Sequence, residues 1–308
     1  MNDFYPMTTA ELMDRSIDVY KKSFGRQMAY AAICTIASYI LFFVASFAII
    51  MVVAISVPDM FGPSVGNSAS SVAGVILLVI AIIVPIFLLW MAAINAGPIL
   101  LSWQAFHGRK LPFPYKQIPR AIGRIFSALL AQVIAILPFA GLMFLGVRSG
   151  FAVFLIERTP WLFVVLCLMF FVAFLLYINI FSLAIAVAAF ERVIFFKALT
   201  RSWELIKGEF WKIAGMRLLW YTAIMVIAMS FSGVTQALYL LVIFLSETFD
   251  MGVAGFILIG ISLIISMVVS FGVIIATMPL DGIFVAVLYF NQRIKREGLD
   301  IEVKLARL

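Results

Sequence analysis

Long apolar runs with almost no charge inside them constrain this chain more than any other feature. Crossing about 30 Å of hydrocarbon takes roughly 20 helical residues. Runs that meet this length cover residues 28–57, 72–103, 125–147, 161–190, 213–245 and 254–290. Because they are continuously apolar rather than alternating, they indicate helices and not barrel strands. The sequence therefore predicts an all-α, polytopic membrane protein with six transmembrane helices.

The composition agrees with a lipid-covered surface. Of the 308 residues, 65% are hydrophobic and only 12% are charged, and the mean hydropathy is +1.16. A soluble domain carries about 25% charged residues. The first run starts behind a charged segment and is too long for a cleaved signal peptide, so we expect it to be retained. Cys34 and Cys167 both lie inside apolar runs, which indicates packing or lipid-facing roles and no disulfide framework.

The Lys and Arg residues between the runs are unevenly distributed. Of the 22, 20 lie before the first run, between the second and third, between the fourth and the start of the fifth, or after the sixth. The other two are Arg148 and Arg158. Since an excess of Lys and Arg marks cytoplasmic loops, we expect a bacterial inner-membrane protein with both termini in the cytoplasm. The net charge of +7 follows from this segregation and does not indicate a nucleic-acid partner.

Two segments, "MDRSIDVYKKSFGR" at 13–26 and "LTRSWELIKGEFWK" at 199–212, share one pattern of apolar and charged residues. Their apolar residues are spaced 4, 3 and 4 apart, which is one stripe of a helix. The stripe residues are Met13, Ile17, Tyr20 and Phe24 in the first segment and Leu199, Trp203, Ile206 and Phe210 in the second. The pattern predicts amphipathic helices at about 9–24 and 198–211, lying on the cytoplasmic membrane surface with the stripe toward lipid.

A third copy of this pattern is expected before the third run, although three prolines there would break a helix. Its residues are Leu111, Tyr115, Ile118, Ile122 and Arg124. Asn95, Asn179 and Pro279 each lie 11 residues before a phenylalanine at the end of an even-numbered run. These spacings predict one membrane domain, 1–308, built from three parallel hairpin repeats at about 1–107, 108–191 and 192–308.

Two stretches, "FERVIFFKALTRSWELIKGEFWK" (190–212) and "VLYFNQRIKREGLDIE" (287–302), contain recognisable motifs. The first is similar to a Glu followed by an AL-RSW-L-KG-FW motif and the second to a YYDLR-RKEG motif, and both motifs resemble those of the bacterial glycerophosphoryl diester phosphodiesterase membrane-domain family. The matching residues are Glu191, Ala198, Leu199, Arg201, Ser202, Trp203, Leu205, Gly208, Phe210 and Trp211 in the first and Tyr289, Arg293, Lys295 or Arg296, Glu297 and Gly298 in the second. Asn291 stands where the family usually has Asp.

The resemblance implies a membrane domain without an assigned activity. The family takes its name from members that carry a soluble phosphodiesterase domain after the membrane portion, and we expect this chain to be a stand-alone membrane domain. His107 is the only histidine, and no Cys or acid cluster with ligand spacing surrounds it. No phosphate-binding loop motif occurs either. The sequence thus predicts no enzyme, no metal and no cofactor.

Asp281, in "TMPLDGIF", is the acid inside the last apolar run. An ionised Asp at the centre of a membrane helix costs about 2.5–3.5 kcal/mol, so we expect its side chain to face protein or water. The repeat alignment brings it near Asn95 and Asn179, and the three would form a polar site for a cation or a lipid headgroup amine. The alternative is a set of interhelical hydrogen bonds that only support packing.

Two classes of function follow. The first is a membrane scaffold or accessory subunit whose cytoplasmic face docks a protein partner or anionic lipid. The candidate residues of that face are Arg15, Lys21, Arg26, Arg201, Trp203, Lys207, Trp211 and Lys212. The second is a carrier or channel for a small solute or lipid that uses Asp281. The serines at 262, 266 and 270 form a small-residue stripe that would also allow a homo-oligomer contact.

Overall fold

The computed structural model describes residues 6–56, 68–106, 116–148, 157–249 and 252–298, and no strand occurs within these ranges. The helices are α1 (Thr9–Ser56), α2 (Ser68–Phe106), α3 (Ile118–Arg148), α4 (Pro160–Phe181), α5 (Leu183–Phe190), α6 (Phe196–Ile206), α7 (Phe210–Thr248) and α8 (Gly252–Glu297). The predicted all-α class is confirmed for this part of the chain.

Five helical segments of the described chain are long and apolar enough to cross a membrane. They are Thr9–Phe47, Ile82–Trp103, Ile118–Pro138, Phe210–Thr248 and Gly252–Glu297. The fourth predicted run, 161–190, is not one helix, because α4 ends at Phe181 and α5 starts after a turn at Ser182. Gln132 of α3 donates from Nε2 to the Phe181 carbonyl at 2.7 Å, and so satisfies an acceptor that the helix end leaves free.

α1 is one unbroken helix of 48 residues. A capping box starts it, in which the Thr8 amide donates to Glu11 Oε2 at 2.7 Å. No proline interrupts residues 9–56, so the helix continues from the charged segment into the apolar run. The prediction of a separate surface helix at 9–24 was therefore wrong. Two residues of its apolar stripe are nevertheless exposed, Ile17 at 39% and Phe24 at 48%, whereas Met13 and Tyr20 are half-buried.

The second predicted surface helix is a separate element, with different limits. α6 ends at Ile206, and Gly208 follows with a φ of +98°, a conformation that glycine adopts readily. Trp211 and Lys212 consequently lie in the first turn of α7. The buried face of α6 includes Ala198, Ser202 and Leu205, and the buried face of α1 has Leu12, Ser16 and Val19 at the equivalent positions, each 186 residues earlier. These three positions are buried in both helices, while the threefold repeat itself stays a prediction.

The chain divides into two compact units. Unit 1 consists of Met1–Ala31, Leu101–Lys110 and Leu205–Leu308, and unit 2 of Ala32–Leu100 and Leu111–Glu204. In unit 1, α7 and α8 pack against each other as a hairpin, and residues 282–292 of α8 are buried on every side. In unit 2, α3 packs against α5, and residues 183–189 of α5 are buried except for Ile185.

The start of α1 packs along the end of α8 within unit 1. The Met7 amide donates to Asn291 Oδ1 at 2.8 Å, and the Tyr20 hydroxyl donates to the Ala276 carbonyl at 2.8 Å. Pro279 lies in the next turn of α8 and removes a backbone donor there. Tyr20 thus supplies a donor next to the proline, as expected for a tolerated proline in a membrane helix.

Candidate functional site: a charged triad between two long helices

Arg217, Tyr221 and Asp281 form a charged triad between α7 and α8. Arg217 Nη1 lies 3.3 Å from Asp281 Oδ1, and Arg217 Nη2 donates to the Tyr221 hydroxyl at 2.7 Å. That hydroxyl donates in turn to Asp281 Oδ2 at 3.4 Å. The guanidinium carbon is also 4.8 Å from the centre of the Tyr221 ring, within cation–π distance. The triad therefore holds one positive and one negative charge with a hydroxyl between them.

Burial differs between the two charged side chains. The Arg217 side chain is 2% exposed, whereas that of Asp281 is 30% exposed. Among the described residues, Arg217 Nε and Nη1 have no hydrogen-bond acceptor. One helical turn along, Trp220 stacks on Phe284 with ring centres 4.7 Å apart and planes at 12°. A deeply buried arginine with incomplete hydrogen bonding depends strongly on a carboxylate partner, here Asp281.

Asn95 and Asn179 were the predicted companions of Asp281. Asn95 belongs to unit 2 and donates from Nδ2 to the Met91 carbonyl of its own helix at 2.8 Å. Asn179 lies in α4, and its side chain lies outside the described part of the chain. The triple site thus stays a prediction.

Arg217 was not among the candidate site residues, although the sequence carries a signal for its pairing. Arg217 and Asp281 are each 32 residues from Phe249, which lies between α7 and α8. In an antiparallel hairpin, residues equidistant from the turn lie at the same level. Two opposite charges at equal distances from one turn therefore indicate an ion pair.

A second polar cluster in unit 1 joins the turn before α7 to the end of α8. Glu209 Oε2 lies 2.9 Å from Lys295 Nζ and accepts from Gln292 Nε2 at 3.3 Å. Partial burial tends to raise the pKa of Glu209, but the hydrogen bonds from Lys295 and Gln292 outweigh it, so the pKa lies below its ordinary value. Glu209 is therefore a carboxylate at neutral pH.

Unit 2 has an ion-paired cluster of its own at Arg201. Arg201 Nε lies 2.9 Å from Glu191 Oε2, and Nη1 lies 3.4 Å from Glu204 Oε2. Arg201 was predicted to dock a partner, but two acids of its own chain already share its charge. Arg15 and Arg26, two other predicted docking residues, also have partners within the chain.

The remaining predicted face residues are exposed. Lys21, Lys207 and Lys212 are all exposed to solvent, and Trp211 is 74% exposed. All four belong to unit 1. Trp203 belongs to unit 2 and is 44% exposed.

Several residues that carry the family resemblance form these clusters. Glu191 and Arg201 pair in unit 2. In unit 1, Arg293 Nε lies 2.8 Å from Glu297 Oε2, and Gly208 adopts its positive φ. The two motifs thus correspond to the charged ends of helices and the turn between α6 and α7.

No metal site is present in the described residues, where no group of three or more His, Cys, Asp and Glu side chains could hold an ion. His107, Leu111 and Tyr115 lie outside the described residues. Ser262, the first residue of the predicted small-residue stripe, is only 4% exposed and therefore faces its own chain.

Comparison with known proteins gives one match. The family described as Domain of unknown function (DUF8558) matches residues 108–303. No curated protein matches the chain. No solved structure matches it either.

Proposed function

The chain belongs to the family of the domain of unknown function DUF8558, and we propose that it is a non-enzymatic integral membrane scaffold that holds anionic lipid at its cytoplasmic face. In this proposal the protein lies in the bacterial inner membrane, crosses it six times and has both termini in the cytoplasm. The five long apolar helices support a membrane location, and in this proposal α4, with 22 residues, supplies the sixth crossing. The one-sided distribution of Lys and Arg supports the orientation.

Counting along the α7–α8 hairpin gives the depth of the triad in this topology. Residues 218–246 and 252–280 contain no Asp, Glu, Lys or Arg. Each stretch is about 43 Å of helix at about 1.5 Å per residue, close to the roughly 40–45 Å of a bilayer with its headgroups. With the turn at the outer surface, Arg217 and Asp281 come to the inner headgroup level rather than the centre of the membrane.

The pairing of Asp281 with Arg217 is the observation that carries the choice of a scaffold. A carrier needs an intramembrane charge that can exchange partners with its cargo. Here the acid of the last apolar run faces an arginine that is almost completely buried. The pair fits a fixed packing element of the hairpin.

Exposed cations next to an exposed tryptophan support lipid as the ligand. Lys207 and Lys212 flank the turn into α7 and are exposed, and Trp211 between them is 74% exposed. Tryptophan is enriched at the membrane–water interface. Each basic residue close to an anionic surface contributes about 1 kcal/mol of attraction.

Lipid retention tests the proposal directly. The protein is extracted from native membranes in mild detergent, and the phosphatidylglycerol and cardiolipin that co-purify are quantified by mass spectrometry. Lys207→Glu with Lys212→Glu removes at least about 2 kcal/mol of attraction, which is roughly a 30-fold weaker affinity. Arg158→Glu, at a residue that the proposed topology assigns to the outer surface, is the matched control and should leave retention unchanged. Equal retention by the double variant and the wild type contradicts the proposal.

A carrier that uses Asp281 is the second candidate, because the Asp281 side chain is 30% exposed. Its Oδ1 has no hydrogen-bond donor among the described residues. This function requires a pH-dependent solute or lipid flux in proteoliposomes that is abolished when Asp281→Asn is combined with Arg217→Gln, so that no unpaired buried arginine is left behind. Such a flux, together with unchanged lipid retention in the lysine variants, would replace the scaffold by the carrier.

A further inference from the structure

The connection from α5 to α6 exposes apolar side chains between two cations. Ile194 is 56% exposed and Phe196 is 44% exposed, and Arg192 and Lys197 on either side are also exposed. All four residues belong to unit 2. An exposed aliphatic and an exposed aromatic side chain next to cations match the chemistry of an anionic bilayer surface.

The backbone conformation presents these side chains outward. Arg192 has a φ of +59° and Phe195 a φ of +56°, and a non-glycine residue in this region is uncommon. The connection is held where the Phe195 amide donates to Ser127 Oγ of α3 at 3.3 Å. The Ala198 amide donates back to the Phe195 carbonyl at 3.1 Å and starts α6.

One arc of the α6 surface is mainly apolar, with Ala198, Ser202 and Leu205 at its centre and Phe196 and Trp203 at one edge. The rest of the protein covers this arc only in part. At about 100° per residue, Phe196 and Trp203 project in nearly the same direction, at one edge of the arc. The centre of the arc, with Ala198, Ser202 and Leu205, is buried in the protein, whereas Phe196 and Trp203 are each 44% exposed. Thr200 and Glu204 lie on the polar arc and are exposed.

The burial pattern of α6 differs from the lipid-facing stripe that the sequence predicted. Leu199 and Ile206 were expected to face lipid, but they are only 6% and 0% exposed. Protein covers that part of the helix. The apolar surface that remains is the edge formed by Ile194, Phe196 and Trp203.

We propose that this edge, Ile194, Phe196 and Trp203, inserts into the inner leaflet of the bilayer at the headgroup–acyl boundary, with Arg192 and Lys197 against lipid phosphates. The inference rests on the proposed topology, which brings the end of α5 to the cytoplasmic membrane surface. Charge complementarity favours an anionic membrane over a protein partner, since both flanking residues are cations. α6 then lies at the membrane surface, packed against the protein on one side and against the inner leaflet on the other.

Site-directed spin labelling tests the insertion in the full chain. Cys34 and Cys167 are free cysteines and are replaced by serine, and single cysteines are introduced by Ile194→Cys, Phe196→Cys and Trp203→Cys. Thr200→Cys and Glu204→Cys on the polar arc are the matched controls. The labelled proteins are reconstituted in vesicles of phosphatidylethanolamine and phosphatidylglycerol, and collisions with oxygen and with a water-soluble nickel chelate are measured.

The inserted edge should have a several-fold higher ratio of oxygen to nickel accessibility than positions 200 and 204. Replacing Arg192 and Lys197 by Glu should reduce this difference in the anionic vesicles. Nickel accessibility at 194, 196 and 203 equal to that at 200 overturns the inference, because the edge then faces water. Low accessibility to both reagents also overturns it and indicates a protein occupant. Lipid retention by the Lys207 and Lys212 variants is independent of these labels, so the two proposals can fail separately.

Discussion

Arg217 is the largest of the fully buried side chains in the described part of the chain. A buried guanidinium is tolerated when a carboxylate and further acceptors surround it, and here Arg217 lies 3.3 Å from Asp281 and donates to the Tyr221 hydroxyl at 2.7 Å. Replacing a buried pair with neutral residues is often harmless, whereas removing one partner leaves an uncompensated charge. The triad therefore predicts that replacing either charged residue alone destabilises the protein more than replacing both.

We expect Asp281→Asn to destabilise the protein strongly, because it leaves Arg217 buried and without its counter-charge. Breaking a buried pair in this way costs about 3–5 kcal/mol, and the lower end applies here since Asp281 is 30% exposed. Arg217→Gln combined with Asp281→Asn should recover most of the loss. The free energy of unfolding is measured by SDS titration in mixed micelles.

The control is Asp18→Asn, at an exposed acid on α1. A surface change of this kind shifts the free energy of unfolding by no more than about 0.5 kcal/mol. Additive losses in the Arg217 and Asp281 double variant would contradict the pairing.

At the scale of single elements, Gly208 lets α6 end and α7 begin within a few residues. Its φ is +98°, and a Cβ built there would lie 3.0 Å from Arg296 Nη2 at the end of α8. Gly208→Ala should therefore destabilise the protein by about 1–2 kcal/mol, the usual cost of a left-handed conformation for an L-residue. Thermal unfolding of purified protein in detergent measures the change.

Gly215→Ala is the matched control, because Gly215 is helical and exposed, and no atom lies within 4 Å of its added Cβ. Alanine is favoured over glycine inside a helix by about 0.5–1 kcal/mol. The control should leave the stability unchanged or raise it slightly. Equal changes in stability for the two variants would show that the positive φ of Gly208 does not matter for stability.

The amphipathic segments mark the limit of what sequence could predict about these elements. Runs of apolar residues predicted the helical class, and the spacing of charge predicted that α1 and α6 have two different faces. The sequence pattern does not indicate whether protein or lipid covers each face. Leu199 is buried by protein at 6% exposure, whereas Phe24, in the equivalent stripe of α1, is 48% exposed. Both are apolar, and only tertiary contacts distinguish protein from lipid as the covering material.

The candidate site was predictable in part. Asp281 was identified because an acid in an apolar run is costly, and the structure gives it a charged partner. Arg217 was counted instead with the basic residues at the start of the fifth run, since its charge fitted the one-sided distribution. The break at Ser182 had no sequence signal of the Gly or Pro type, and the Phe181 carbonyl there accepts a hydrogen bond from Gln132 of another helix.

At the scale of the whole molecule, charge and burial coincide at one end of the α7–α8 hairpin. The ion pairs of Glu209 and Glu297 and the buried stretch 282–292 belong to the end where α8 finishes. The opposite part of the hairpin is apolar and largely exposed. Such a molecule is stable only if lipid covers the exposed part and water reaches the charged end, so orientation in the membrane decides which surface meets which compartment.

Thiol accessibility in intact cells gives the orientation, in the background without Cys34 and Cys167. Glu157→Cys lies in the segment before α4 and Lys212→Cys at the start of α7, and both positions are exposed. A membrane-impermeant maleimide added from outside should label position 157 and not position 212. The proposed orientation moves only two Lys and Arg residues across the hydrocarbon, whereas the opposite orientation would move 20, at far higher cost. Labelling of position 212 after cell lysis verifies that its thiol is reactive. External labelling at position 212 in intact cells would show the opposite orientation. The proposals that Lys207 and Lys212 bind lipid at the cytoplasmic face and that the edge of α6 inserts in the inner leaflet would then both be wrong.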